Sequence, residues 1–133
     1  MKIVGWLVVG VLALGLLWWL MQMIAAESGE VVVLTTTDDA GAAHETRLWL
    51  VDHDGSMWLR AGSGVAGWYQ RLVAEPRVTL ERNDATAAYT ARPEAEQLIE
   101  INRLMNEKYG WADSYVGFWF SRDDAVPVRL VPE

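Results

Sequence analysis

The hydrophobic positions of the chain form two unlike patterns that meet near residue 26. Residues 3–26 contain no charged side chain, and their apolar positions are nearly continuous. As an α-helix this segment would be about 36 Å long, which is enough to cross a hydrocarbon core of about 30 Å. Trp6 lies near one end and Trp18 and Trp19 lie towards the other, where indole rings suit the membrane interfaces. We therefore predict a membrane anchor helix over residues 1–26.

A cleaved signal peptide is the alternative interpretation of this segment. The apolar run of a signal peptide is usually about 7–15 residues long and ends in small residues at the cleavage site. Here the run is longer, and Ile24 stands where a cut after Ala26 would require a small side chain. The pattern therefore favours an uncleaved anchor.

From residue 27 onward the apolar positions occur in short alternating runs that are typical of β-strands. Strands are predicted at residues 31–37, 44–52, 56–61, 77–82, 86–91, 115–120 and 125–130. Two pairs of turn residues, Asp54-Gly55 and Asn83-Asp84, predict tight hairpins between neighbouring strands. The second half of the chain is therefore expected to be mainly an antiparallel sheet.

Two segments between these strands have helical spacing instead. One follows Gly64 and is stopped by Pro76, and the other begins at Pro93 and ends before Gly110. Short strands with two inserted helices indicate an α+β fold, a closed or nearly closed barrel of six or seven mostly antiparallel strands. The predicted organisation is an anchor over residues 1–26 and one split β-barrel domain over residues 27–133.

Composition and charge narrow the classes of function. The chain has 133 residues, 11 Lys and Arg, 18 Asp and Glu, and no Cys. Lys2 is the only charged residue before residue 27, so the barrel segment has a net charge of −8. A domain this acidic is a poor partner for nucleic-acid phosphates. The lack of Cys excludes disulfides and thiolate metal sites, and so packing alone must stabilise the core.

The charges that flank the apolar segment predict its orientation. Lys2 and the terminal amine precede the segment, whereas several Asp and Glu residues follow it before the first Arg, Arg47. Because Lys and Arg concentrate on the cytoplasmic side, we predict a single-pass protein with a cytoplasmic N-terminus and an extracytoplasmic barrel domain.

Candidate chemistry is sparse outside one turn. Gly62-Ser63-Gly64 joins a strand to a helix, with Arg60 before it and Arg71 within the helix. Backbone N–H groups at such a turn can hold a phosphate, although glycines also simply turn the chain. The two histidines, at positions 44 and 53, lack the spacing of a metal site, and we predict no metal ion. The tryptophans of the barrel segment are expected mainly in its core, and one or two of them could stack against a flat ligand.

The order of these elements and several sequence runs resemble a known family, the split β-barrel flavin and deazaflavin oxidoreductases. The runs are LTTT (34–37), RLWLVDHDG (47–55), SMWLRAGSG (56–64), GWYQRLVAEPRVTLE (67–81), EKYG (107–110) and VPVRLVP (126–132). The chain is most similar to nitroreductase-like and deazaflavin-dependent quinone-reductase-like members, whose fold is the pyridoxamine-phosphate-oxidase-like barrel. The likeness extends over essentially the whole barrel segment.

This resemblance implies a cofactor, a reaction and a set of contacts. The cofactor would be the deazaflavin coenzyme F-420 or FMN, and the reaction a hydride transfer to a lipophilic quinone or a nitro compound. Carried over by position, the cofactor contacts would be Arg60, Gly62, Ser63, Trp68 and Tyr69. Members of the family are commonly dimers, so a homodimer is a further expectation.

One turn departs from the family pattern and keeps other functions open. The family has a basic turn after the first strand, whereas this chain has Asp38-Asp39-Ala40-Gly41 there. Arg47, farther along, is the candidate to replace the lost positive charge. The acidic turn and the outward orientation motivate an alternative, a cofactor-free barrel that acts as a binding or assembly module at the membrane surface. A carrier of another planar compound such as haem is a third hypothesis.

Overall fold

The computed structural model of the protein describes residues 1–26, 29–119 and 121–133. Within these residues the chain forms four α-helices, one short 3-10 helix and seven β-strands. In chain order they are α1 (Lys2–Ala26), β1 (Val32–Thr37), β2 (Ala43–Leu48), β3 (Leu50–His53), β4 (Ser56–Ala61), α2 (Gly67–Ala74), β5 (Arg77–Arg82), β6 (Ala85–Pro93), the 3-10 helix (Ala95–Gln97), α3 (Leu98–Tyr109), α4 (Trp111–Trp119) and β7 (Val126–Pro132).

All seven described strands form one antiparallel sheet in the order β2-β1-β5-β6-β7-β4-β3. The two edge strands, β2 and β3, are separated along the chain by Trp49 alone. A single residue cannot bridge a flat seven-stranded sheet, so the sheet must curl until its edges meet. The predicted split β-barrel is confirmed. The predicted strand over residues 44–52 is in fact two strands, because the chain changes edges at Trp49.

The two predicted hairpins are also present. Asp54 and Gly55 have φ angles of 54° and 76°, and His53 pairs with Ser56 across them. Asn83 has a φ angle of 52°, and Asp84 has one of 63°. Positive φ at both central residues is the geometry of a type I′ turn, whose twist matches that of antiparallel strands.

The prediction of a strand over residues 115–120 is wrong, and Phe120 lies outside the described residues. This segment belongs to α4, so the described part of the barrel domain has three α-helices rather than the predicted two. Its aromatic residues resemble those of a strand, but their exposure repeats at helical spacing, with Trp111, Ser114 and Phe118 all on the outside. Gly110, with a φ angle of 56°, ends α3 and turns the chain into α4.

The helix predicted from Pro93 starts later than expected. Pro93 is the last residue of β6 and is paired with Val128 of β7. The next N–H, that of Glu94, donates to the Pro127 carbonyl at 2.9 Å. Strand pairing therefore continues past the proline, and α3 begins only at Leu98.

Apolar residues are buried on both faces of the curled sheet. The main cluster contains Leu34, Leu50, Leu59, Leu80, Val128 and Leu130, together with Trp68 and Leu72 from α2. A second cluster lies under α3 and contains Val51, Trp58, Ile101, Met105 and Tyr109. Most of the large side chains of the domain thus have packing roles, which leaves few of them for a site.

Candidate functional site

A buried ion-pair network fixes α4 to the sheet. The carboxylate of Asp113, only 5% exposed, accepts hydrogen bonds from Arg60 Nη2 at 2.5 Å and from Arg122 Nη2 at 2.8 Å. Asn106 donates to the second carboxylate oxygen at 3.2 Å, and Arg60 also donates to Asn102 at 3.1 Å. Burial and the neighbouring charge of Arg60 lower the pKa of Arg122. Because one carboxylate faces two guanidinium groups, the network keeps a net positive charge.

A groove runs beside α4 and above this network. Its narrow part has a volume of about 210 Å³ and is lined by Arg47, Leu48, Trp49, Arg60, Val116 and Arg122. Its wide part has a volume of about 540 Å³ and is lined by Gly62, Ser63, Ala66, Val116, Trp119, Ser121, Arg122 and Asp124. Since Val116 and Arg122 line both parts, we treat them as one feature, the α4 groove. Its size is in the range of cofactor and ligand sites.

The chemistry of the α4 groove suits a flat ligand that carries negative charge. Trp49, Leu48 and Val116 provide apolar walls in the narrow part. Arg47 and Arg122 bring guanidinium groups to the same part, and guanidinium groups pair well with phosphate and carboxylate oxygens. At Gly62 a Cβ would meet no atom within 4 Å, so the backbone is open to the wide part.

The wall that Trp49 provides is held by a buried tyrosine. The Trp49 and Tyr109 rings stack with centroids 4.4 Å apart and planes 9° from parallel. The Tyr109 hydroxyl donates to the Glu30 carbonyl at 2.6 Å and accepts the Leu50 N–H at 2.9 Å. Burial raises the pKa of Tyr109 to about 12, so the phenol stays protonated at neutral pH. Trp49 therefore has a fixed orientation at the point where the two sheet edges meet.

The structure brings four of the six predicted site residues together and separates two. Arg47, Arg60, Gly62 and Ser63 all line the α4 groove, although the Arg60 guanidinium is already bound to Asp113 and Asn102. The Trp68 side chain, 8% exposed, lies in the main core cluster. Tyr69 packs against that cluster and approaches Gly64.

Sequence reasoning missed the residues that α4 and its following turn contribute. Asp113, Val116 and Arg122 are absent from the predicted site, and Trp119 is covered only by the expectation that one or two tryptophans could stack against a flat ligand. One signal was available: Asp113 is the only charged residue between Lys108 and Arg122. A lone acid in an apolar segment usually has a buried partner.

The acidic turn between β1 and β2 is closed on itself. One oxygen of the Asp38 carboxylate accepts the N–H groups of Ala40 and Ala42, each at 2.9 Å, and the other lies 2.7 Å from His44 Nε2. The hydrogen bond from His44, followed by that from Ala42, lowers the pKa of Asp38. Asp38 thus occupies the backbone donors of this turn and adds a negative charge there. An anionic group does not fit at this turn.

No metal site is seen in the described part of the chain. Its His, Asp and Glu side chains do not form a group of three or more that could hold an ion. His44 is engaged by Asp38, and the His53 ring lies 6.3 Å from the Trp58 ring, between centroids. Neither histidine lines the α4 groove.

Comparison with known proteins identifies the family. The family model described as F420H(2)-dependent quinone reductase matches residues 22–131, which include every residue of the α4 groove. The chain belongs to this family. The resemblance inferred from the sequence is therefore confirmed, and the family is one of deazaflavin-dependent oxidoreductases. None of the curated proteins is significantly similar to the chain.

Solved structures show the same fold at low sequence identity. A reductase dependent on reduced coenzyme F-420 is 24% identical with a TM-score of 0.60, covering 74% of this chain and 92% of its own. A putative pyridoxamine 5′-phosphate oxidase from Listeria innocua is 16% identical with a TM-score of 0.58, covering 84% and 90%. A haem storage protein from Vibrio cholerae is 18% identical with a TM-score of 0.63, covering 82% and 85%. At these identities the likeness concerns the fold alone.

Of the two sites in this protein, the α4 groove and the acidic turn at Asp38, the groove is the better match for a deazaflavin. Coenzyme F-420 combines a flat ring system with a negatively charged side chain. The α4 groove offers apolar walls and guanidinium groups side by side. The cavity at the Asp38 turn has two carboxylates, Asp38 and Asp39, beside the single guanidinium group of Arg71, whose Nε already donates to Thr36.

Proposed function

We propose that the protein is a membrane-anchored oxidoreductase that binds coenzyme F-420 in the α4 groove and reduces a lipophilic quinone. The observation that carries this proposal is the juxtaposition of Arg47 and Arg122 with the flat Trp49 wall, within the residues that match the quinone reductase family. A nitro compound is the alternative class of acceptor, and FMN is the alternative cofactor.

The reduced deazaflavin, when bound, supplies the hydride, so the chain itself needs no acid–base pair for that step. The roles left to its own residues are binding, orientation and exclusion of water. Arg47 and Arg122 would hold the anionic side chain, Arg122 through a donor other than the Nη2 that binds Asp113, and Trp49 would stack against a ring. Gly62 and Ser63, as small residues, would allow close approach to the backbone.

Of the remaining predicted contacts, Tyr69 and Trp68 differ in their surroundings. Tyr69 is half-buried beside Gly64 and does not line the α4 groove, so we assign it a packing role against the main core cluster. Trp68 is assigned a packing role under the turn that carries Gly62 and Ser63. We assign Arg60 to the groove wall, where it orients α4 through Asp113.

A binding titration tests this proposal. The full chain in detergent is titrated with coenzyme F-420 and, separately, with FMN, and binding is followed by ligand fluorescence. We expect coenzyme F-420 to bind more tightly than FMN, and its affinity to fall when salt rises, because salt screens the guanidinium groups.

Matched variants locate the site in the same titration. Arg47→Gln and Arg122→Gln should each weaken coenzyme F-420 binding by about tenfold, the effect of losing about 1.4 kcal/mol. Arg77→Gln is the control, because Arg77 is exposed, is paired with Glu133 and does not line the groove. Equal loss in all three variants, or no binding by wild type, contradicts the proposal.

The anchor and its orientation form a second part of the proposal. In α1 every side chain from Lys2 to Leu20 is exposed, and the helix is long and apolar enough to span a membrane. We propose residues 1–26 as the anchor, and residues 27–133 as a domain on the extracytoplasmic side. Since the natural chain has no Cys, Val65→Cys supplies one exposed thiol in the domain. Labelling by a membrane-impermeant maleimide in intact cells supports this orientation, whereas labelling only after lysis refutes it.

A cofactor-free binding module is the second candidate function. The observation that favours it is the closed, negatively charged turn at Asp38, which stands where the family pattern has cations. This alternative predicts that the chain binds neither coenzyme F-420 nor FMN at high micromolar concentration, and binding of either would contradict it. Homodimer formation stays a prediction, which sedimentation of the detergent-solubilised chain can measure.

A further inference from the structure

The outward face of α4 is aromatic and carries no charge. Trp111, Phe118 and Trp119 expose 52%, 79% and 49% of their surfaces. Ser114 lies on the same side of the helix. The single charged residue of α4, Asp113, lies on the opposite side of the helix and forms ion pairs with Arg60 and Arg122. An exposed patch of this kind on a soluble surface usually marks an interaction site.

The same helix lies against the apolar helix α1. The Trp18 and Trp119 rings meet edge to face, with centroids 6.0 Å apart. Trp18 lies eight residues before Ala26, so this contact is about 12 Å short of the end of α1. The C-terminal end of α4 is therefore beside α1, not beyond it.

The depth of this contact follows from the length of a membrane span. A hydrocarbon core of about 30 Å takes about 20 residues, so a span that begins at Ile3 would extend to Gln22. Trp18 would then lie about 6 Å inside the core boundary, and Trp119 would lie beside it. Helices that lie in a membrane interface bury their apolar face by about 5–10 Å, which agrees with this depth.

We propose that the exposed face of α4, formed by Trp111, Phe118 and Trp119, lies in the interface of the bilayer that α1 spans. The inference rests on the proposed anchoring role of α1. Trp119 also lines the wide part of the α4 groove, so the groove opens towards lipid. A lipophilic acceptor would thus pass from the bilayer into the groove without crossing water.

Single-cysteine spin labelling tests the position of this face. The full chain is labelled at Phe118→Cys, Val65→Cys or Val11→Cys in vesicles of phosphatidylcholine and phosphatidylglycerol. Phe118 and Val65 are matched, since they expose 79% and 78% of their surfaces, and Val11 reports on α1 itself. Collisions with oxygen report lipid, and collisions with a water-soluble nickel chelate report water. We expect oxygen collisions to dominate at positions 118 and 11, and nickel collisions at position 65.

Each outcome separates this inference from the proposed anchor. Nickel collisions at 118 with oxygen collisions at 11 overturn the inference and leave the anchor intact. Nickel collisions at both 118 and 11 overturn the inference and the proposed anchor together. Protection of position 118 from both reagents, with spin–spin broadening between chains, overturns it in favour of a dimer contact. Trp111→Cys on the same face repeats the measurement should the variant at 118 fail to fold.

Discussion

The carboxylate of Asp113 is the feature whose removal should disturb the site most. In Asp113→Asn the guanidinium groups of Arg60 and Arg122 would remain close together without the negative charge that now bridges them. Breaking a buried ion pair by removing one partner costs about 3–5 kcal/mol. We expect a value near 3 kcal/mol, because an asparagine carbonyl in the place of Oδ1 still accepts two of the three hydrogen bonds that Asp113 now receives, those from Arg60 and Arg122.

Urea unfolding of the full chain in detergent measures this effect. Small proteins lose about 1–3 kcal/mol of stability per molar urea, so the midpoint should fall by about 1–3 M. Asp123→Asn is the matched control, because Asp123 is exposed in the following turn. The free energy of unfolding of this control should change by less than about 0.5 kcal/mol.

A double variant tests the reason for the loss. If repulsion between the two guanidinium groups is the cause, adding Arg122→Gln to Asp113→Asn should recover part of the stability, giving a coupling energy of about 0.5–3 kcal/mol. A variant Asp113→Asn that unfolds with the midpoint of wild type would refute the whole argument. Additive losses in the double variant would refute the repulsion.

The other predictions concern the pH dependence of stability and access to the groove. The pKa of Tyr109 is raised by burial from 10 to about 12, so the unfolded phenol ionises first. Stability should then fall by about 2–3 kcal/mol between pH 10 and 12 in wild type, and this part of the loss should be absent in Tyr109→Phe, as followed by urea midpoints. Hydrogen bonds from Arg82 lower the pKa of Glu30 and of Asp52, and so contribute stability that is lost as pH falls below about 4.5. Acid titration of Arg82→Gln should show a shallower loss than wild type, and an equal slope would contradict this. Ser63→Trp should fill the wide part of the α4 groove and abolish binding of coenzyme F-420 while leaving the urea midpoint near that of wild type; unchanged binding would place the cofactor elsewhere.

Much of the fold could be predicted because its signals are local. The hairpins at Asp54-Gly55 and Asn83-Asp84 need positive φ at both central residues, and Gly, Asn and Asp are the residue types that adopt it most readily. The uncharged run of α1 and the alternation within β5 are equally local. Such signals require no knowledge of what lies across the sheet.

The errors arose where distant contacts decide the structure. Tyr115 and Phe118 are residue types that favour a strand. The segment is nevertheless a helix, and Asp113 at its start is bound by Arg60 of β4, 53 residues earlier in the chain. The strand break at Trp49 likewise depends on Tyr109, sixty residues later in the chain, which binds Leu50 and stacks on Trp49. The groove residues on α4 could not be found until the helix itself was known.

The change of edge at Trp49 makes the length of the chain at this point critical. Side chains of a strand alternate between its two faces, so one inserted residue between Leu48 and Leu50 would turn Leu50 and Val51 to the opposite faces. It would also carry the Leu50 N–H away from the Tyr109 hydroxyl. The turn between β1 and β2 is closed by its own Asp38 hydrogen bonds, but an insertion there need not change which faces the strand side chains occupy. Insertions in relatives of this barrel are therefore expected in its solvent-facing loops and not at the seam between its two edges.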